Sequence, residues 1–176
     1  MLDIAVSYNR YKYLGCEFLT WLWFIIEKDQ AQLKALDKDF KALDIGNRIV
    51  LEKRIKDTVE NITIKGDDAG LEEGILALRK GALVTELNLV YKAGNNEWQF
   101  TIKGESISFI NVKTPDTGVI ETKEDIEGAG LEKVYLVERI LSLIDNLFKQ
   151  FIKFRVSNNW NNKIVPAIKK WIYSKQ

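Results

Sequence analysis

From residue 149 onward the sequence carries seven cations and no acid: Lys149, Lys153, Arg155, Lys163, Lys169, Lys170 and Lys175. Phe154, Trp160, Trp171 and Tyr173 are interleaved with them. Cations displace the counterions condensed on a phosphate backbone, and aromatic faces stack on unpaired bases. That combination makes Lys153, Arg155, Trp160, Lys163, Lys169, Lys170 and Trp171 the candidate contacts to nucleic acid. The same letters admit a plainer reading, in which Phe154, Trp160 and Trp171 are core residues and the lysines a solvated face. The whole-chain balance, 26 basic against 25 acidic residues, hides the asymmetry, since residues 1–148 hold 19 cations against all 25 acids.

Other chemistry finds little support in the residue types. The chain has no histidine and one cysteine, Cys16, which removes a Ser-His-Asp triad, a Cys-His pair, the His-bearing zinc sites and an intramolecular disulfide. The stretch "GDDAGLEEG" (66–74) gathers Asp67, Asp68, Glu72 and Glu73. Such a group can collect a hard cation, yet acids at a helix start and solvent-facing glutamates account for it without one. Gly66, Gly70 and Gly74 are spaced by four, which fits neither a phosphate-binding loop nor a dinucleotide fingerprint. Glu17, beside Cys16, is explained more simply by the free amides of a first helical turn than by general-base chemistry. The sequence therefore calls for no cofactor and no metal, and an enzyme working through Asp or Glu lacks a supporting constellation.

The elements that must position these residues begin with "LGCEFLTWLWFII" (14–26), which puts two of the five tryptophans in one apolar run. Glu17 inside it, thirteen mixed residues before it and the lack of a small-residue cleavage site argue against a secretion signal. Its uncharged core, 18–26, falls well short of the roughly twenty residues that span a bilayer. A buried helix is the reading that remains, and with it a cytoplasmic protein with no membrane partner. At helical spacing Phe18, Leu22 and Ile25 share a face, Trp21 lies beside them, and Trp23 points elsewhere and needs a second packing partner.

Residues 29–39 read as a weak helical extension or a solvated connection. Ile49, Leu51 and Ile55 keep a two-residue period within 47–55, as do Ile62 and Ile64, and these are expected strands. Asp67 or Asp68 is placed to cap a short helix striped by Leu71, Ile75 and Leu78, with Gly81 at its end. Leu83, Leu87, Leu89 and Tyr91, then Trp98, Phe100 and Ile102, alternate with polar residues, and "AGNN" (93–96) between them predicts a hairpin. Ile107 and Phe109 add a third strand to this antiparallel meander.

Pro115, three glycines and, from Asp116 to Glu132, six acids against Lys123 alone predict a flexible acidic loop over 114–130. From Leu131 a long helix follows, with Val134, Val137, Leu141, Ile144, Phe148 and Phe151 as its stripe, widened by Leu136, Ile140, Leu143 and Leu147. Trp160, Ile164, Ile168 and Trp171 close the chain at helical spacing, and Pro166 must sit at a helix start or a kink. The expected fold is a single α+β domain over 1–176: an antiparallel β-meander packed against a long C-terminal helix and an N-terminal aromatic-rich helix.

The run "LGCEFLTWLWF" (14–24) resembles a branch of the RdgC family of recombination-associated proteins, in which a similar Leu-Gly-x-Glu-Phe-Leu-x-Trp-Leu-Trp run occurs. "NRIVLE" (47–52), the meander over 83–110, "ERILSLIDNLFKQFIKFRVSNNW" (138–160) and "AIKKWI" (167–172) follow in the branch's order. Two departures stand out: Cys16 occupies a position where the branch usually has Arg, and its longer members carry a large N-terminal region that this sequence lacks. The resemblance implies DNA binding without marked sequence preference; for the better-known members it also implies a dimeric ring and restraint of recombinase filaments. The leading expectation is thus a non-enzymatic DNA-associated protein. Its rival is a protein–protein interaction module, docking on a partner or on a second copy through the apolar stripe of the long helix and the aromatic tail.

Overall fold

The computed structural model describes residues 4–55, 58–66, 68–118 and 122–174; the side chains of 4–11, 54, 68–70, 123 and 124 are not described. Five strands form one antiparallel sheet in the order β2-β1-β3-β4-β5: β1 (Phe40–Ile55), β2 (Thr58–Lys65), β3 (Leu83–Ala93), β4 (Asn96–Lys103) and β5 (Ser108–Lys113). The helices are α1 (Ile4–Lys28), α2 (Gln30–Lys34), α3 (Asp68–Arg79), α4 (Lys123–Arg155) and α5 (Val165–Ser174), with a π-helical turn at Trp160–Ile164. The α+β architecture is therefore as expected, with the meander, the long C-terminal helix and the aromatic N-terminal helix all present.

Alternation in the sequence explains the layers. Leu87, Leu89 and Tyr91 of β3 and Trp98, Phe100 and Ile102 of β4 point to one face, where all six are fully buried. There they join Phe18, Trp21, Leu22 and Trp23 of α1 and Leu136, Ile140, Leu147 and Phe151 of α4 in a single core. Asn88 and Thr101 turn to the opposite, polar face and bond to each other at 2.9 Å. The 93–96 hairpin closes on a two-residue turn in which Gly94 takes φ +56, the left-handed value a type II′ turn puts at its first central residue. Gly81, at φ +84, follows the end of α3.

Trp23 finds the partner it needs on α5. Its ring meets Trp171 edge-on at 5.5 Å, and its Nε1 donates to Glu27 Oε1 at 2.7 Å. Pro166 stands second in α5, directly after the π-helical turn, where the Val165 amide reaches back to the Trp160 carbonyl. Residues 158–164 are already helical, so Pro166 sits inside a continuous helical stretch, and the widened π-helical turn before it is where the helix accommodates the ring.

Three boundaries and one helix face differ from the sequence reading. The first helix begins by Ile4, so Glu17 lies mid-helix, beyond the reach of the first-turn amides. β1 starts at Phe40, seven residues before the predicted strand. α4 starts at Lys123, which turns the second half of the predicted 114–130 loop into helix: the Thr122 hydroxyl accepts from the Asp125 amide while the Asp125 carboxylate accepts from the Thr122 amide. This reciprocal cap, with acids near the positive end of the helix dipole, outweighs Gly128 and Gly130. Finally, the buried face of α4 is shifted: Leu136, Ile140, Leu143 and Leu147 are buried together with Ile144 and Phe151 of the expected stripe, whereas its Val134 and Leu141 are exposed. The proposed cap Asp67, and residues 119–121 of the loop, lie outside the described residues, as does the side chain of Asp68.

Candidate functional site

The described C-terminal cations come from the last two turns of α4, the π-helical turn and α5. Lys153, Lys163, Lys169 and Lys170 are exposed and make no ion pair among the described residues. Lys149 pairs with Asp145 one turn back, at 2.6 Å. Lys175 lies outside the described residues.

Arg155 is committed inside the domain. Its Nε donates to Glu17 Oε2 at 2.7 Å, and its guanidinium carbon lies 5.5 Å from the centroid of the Trp160 ring. Arg155 thus supplies the compensation for the mid-helix carboxylate of Glu17 that the helix dipole was expected to give. The side chain of Glu17 is only 17% exposed, so losing that partner would leave a poorly solvated charge.

The aromatic half of the candidate set is corrected by burial. Trp160 is 5% exposed, edge-on to Phe151 at 5.4 Å. Trp171 is 2% exposed, held between Trp23 and Phe24, with its Nε1 donating to Glu27 Oε2 at 3.1 Å. Stacking on a base needs an open ring face, and neither indole has one. Phe154 is half-buried near Trp21. Tyr173 is exposed, though the Arg79 guanidinium already stands 6.0 Å from its ring centroid. The C-terminal surface is therefore cationic without an indole platform.

No family model matches this chain, and no curated protein matches it. Any chemistry has to be read from the side chains themselves. Among the described residues no group of three or more His, Cys, Asp or Glu is placed to hold a metal ion. Glu72 and Glu73 are exposed, as the solvent-face reading has it. Among the described residues no helix is long and apolar enough to cross a membrane.

One polar cluster escaped the sequence reading altogether. Arg139 of α4 grips Asp37 with two nitrogens, Nε to Oδ2 at 3.0 Å and Nη2 to Oδ1 at 3.0 Å, and reaches Asp39 at 3.3 Å. The Tyr91 hydroxyl donates to the same Asp37 carboxylate, and the Asp39 amide donates to it at 2.9 Å. Burial alone would raise the Asp37 carboxyl, but these donors outweigh it and hold the group below the ordinary carboxylate range. Tyr91 is pushed upward, first by burial and then by Asp37. The guanidinium also lies 5.4 Å from the centroid of the Trp98 ring, whose Nε1 donates to the Leu136 carbonyl at 3.1 Å. With its carboxylate saturated, Asp37 is a clasp between α4 and the sheet and has no free basicity for catalysis. A tyrosine on a core-facing strand position was the one signal, because a buried phenol needs a partner.

Proposed function

We propose that the protein is a non-enzymatic DNA-associated protein that contacts the phosphate backbone through Lys153, Lys163, Lys169 and Lys170, without reading sequence. One observation carries the reading: four exposed lysines, with no ion pair among the described residues, lie on a stretch from residue 149 onward that holds no acid. Phosphate contacts of this kind position a protein on nucleic acid and leave base identity unread. The resemblance of residues 14–24 to the RdgC branch supports the same partner and a cytoplasmic setting. With Trp160 and Trp171 in the core, the binding is electrostatic, and duplex and single strands are expected to compete for one surface.

The test is DNA binding across a salt series. Four phosphate contacts give a slope of log affinity against log salt of about −3.6 on duplex and about −2.8 on single strands. Replacing the four lysines with glutamine flattens the duplex slope by about 0.9 for each phosphate no longer neutralised, with the melting temperature unchanged. An absence of binding by the parent at about 50 mM salt, where phosphate contacts are strong, overturns the reading.

A second reading rests on a different observation. Leu131, Val134, Tyr135 and Leu141 of α4 are 74%, 56%, 63% and 44% exposed. Such an apolar run on a helix fits docking against another protein, an association that salt barely weakens. Analytical ultracentrifugation of the parent and of Leu131→Lys in low and high salt separates the two.

A further inference from the structure

Between α1, the turn leading into β3, and α5 lies a groove of about 390 Å³, within the range typical of small-molecule sites. Leu78, Ala82, Leu83, Val165, Ile168 and Ile172 form its apolar walls, with Trp160 beside them. Three elements far apart in sequence therefore converge on one concave surface. Tyr13 and Leu83, both lining it, are 50% and 36% exposed, which leaves apolar area open to an occupant.

Of the two charged groups that line the groove, one is already spoken for and the other is not. The Thr20 hydroxyl donates to the Cys16 carbonyl at 2.8 Å. Glu17 takes the Arg155 Nε at 2.7 Å. Lys169 lines the same groove, is exposed, and has no ion pair among the described residues. The negative charge in the groove is thus neutralised from behind while the positive charge is not.

We propose that this groove binds a small organic anion with an apolar body, its acid group on Lys169 and its body against Ile168, Ile172 and Leu83. The charge left uncompensated decides the sign of the ligand, and the walls decide the rest of it. A cationic ligand would meet Lys169 with nothing free to answer it, and a purely polar one would leave the aliphatic walls unmatched. The site goes beyond the phosphate reading and shares only Lys169 with it.

Calorimetric titration with 1-naphthoate and with its uncharged counterpart 1-naphthalenemethanol tests the proposal. The parent is expected to bind one naphthoate, more tightly than the alcohol by tenfold or more. Lys169→Glu should abolish that preference without changing the melting temperature, and Leu83→Trp, which fills the groove from a half-open position, should remove both ligands. A variant with Lys153, Lys163 and Lys170 changed to glutamine should bind naphthoate as the parent does, so that failure of DNA binding and failure of the groove ligand are told apart. Equal affinity for acid and alcohol would reduce the site to an apolar crevice and overturn the proposal. Binding insensitive to both single substitutions, an absence of naphthoate binding, or a parent dimer that Leu83→Trp dissociates would overturn it too.

Discussion

Gly15 of α1 and Gly104, just past the end of β4, meet backbone to backbone: a Cβ built on Gly15 would stand 1.7 Å from the Gly104 carbonyl oxygen. No rotamer relieves a clash with a carbonyl, so the helix or the turn would have to move. Gly15→Ala is expected to cost about 3 kcal/mol or more, at the upper end of overpacking penalties. Gly118→Ala, where an added Cβ meets nothing within 4 Å, serves as the control and should be near neutral. Urea unfolding of the two variants checks the contrast.

Trp21 and Trp23 are both fully buried, but only one has its indole nitrogen satisfied. Trp23 Nε1 donates to Glu27, whereas Trp21 Nε1 has no hydrogen-bond partner among the described residues. Trp23→Phe should therefore destabilise more than Trp21→Phe, by about 1.5 kcal/mol, the value of a hydrogen bond to a charged group. Trp21→Ala should cost about 3–5 kcal/mol, because its ring fills space among Phe18, Phe151 and Phe154. Thermal and urea unfolding of the three variants read these differences, and equal destabilisation by the two phenylalanine variants would show that the Glu27 bond adds nothing.

The clasp at Asp37 sets an acid limb. A carboxyl held below its unfolded value contributes stability above an unfolded pKa of about 3.9, and that contribution disappears as pH falls through the lower folded value. Asp37→Asn is expected to be less stable than the parent at pH 7, with the gap closing below about pH 4 as the parent protonates. Arg139→Met, which strands the carboxylate, should cost about 1–3 kcal/mol at pH 7. Denaturant unfolding at pH 7, 5 and 3 reads both.

Cys16 is fully buried, and burial pushes its thiol up to about 11. The thiolate is the nucleophile, so at pH 7 only about one molecule in 10,000 carries it, and the side chain is closed to reagents as well. Labelling by a maleimide should follow the rate of opening of the domain. Rapid labelling under native conditions would show that α1 departs from the sheet far more readily than this packing allows.

What could be read from the letters was what local periodicity encodes. Leu87, Leu89 and Tyr91 against Trp98, Phe100 and Ile102 announced two strands and their buried face without help from the rest of the chain. Phe40 and Ile45 did not, because the pairing with β3 shifts register between Phe40 and Ala42 and again between Ile45 and Ile49, which breaks the two-residue period. At 123–130 the composition suggested a loop, while the decisive signal was the spacing of Thr122 and Asp125. The cationic half of the candidate site was legible because charge is a property of each letter. Whether Trp160 and Trp171 are open was not, since Trp171 is covered by Trp23, 148 positions earlier, and Arg155 is claimed by Glu17.

The same long-range closure bears on how the protein is made. Glu27 accepts from the indoles of Trp23 and Trp171, and the second of these lies 144 residues downstream. At about 5–20 residues per second, a ribosome delivers Trp171 roughly 7–30 s after Glu27. Through that interval Trp23 lacks the ring it packs against and Glu17 lacks Arg155. α1 can settle on β3 well before then, but the end of it around Trp23 and Glu27 is completed only when α5 arrives.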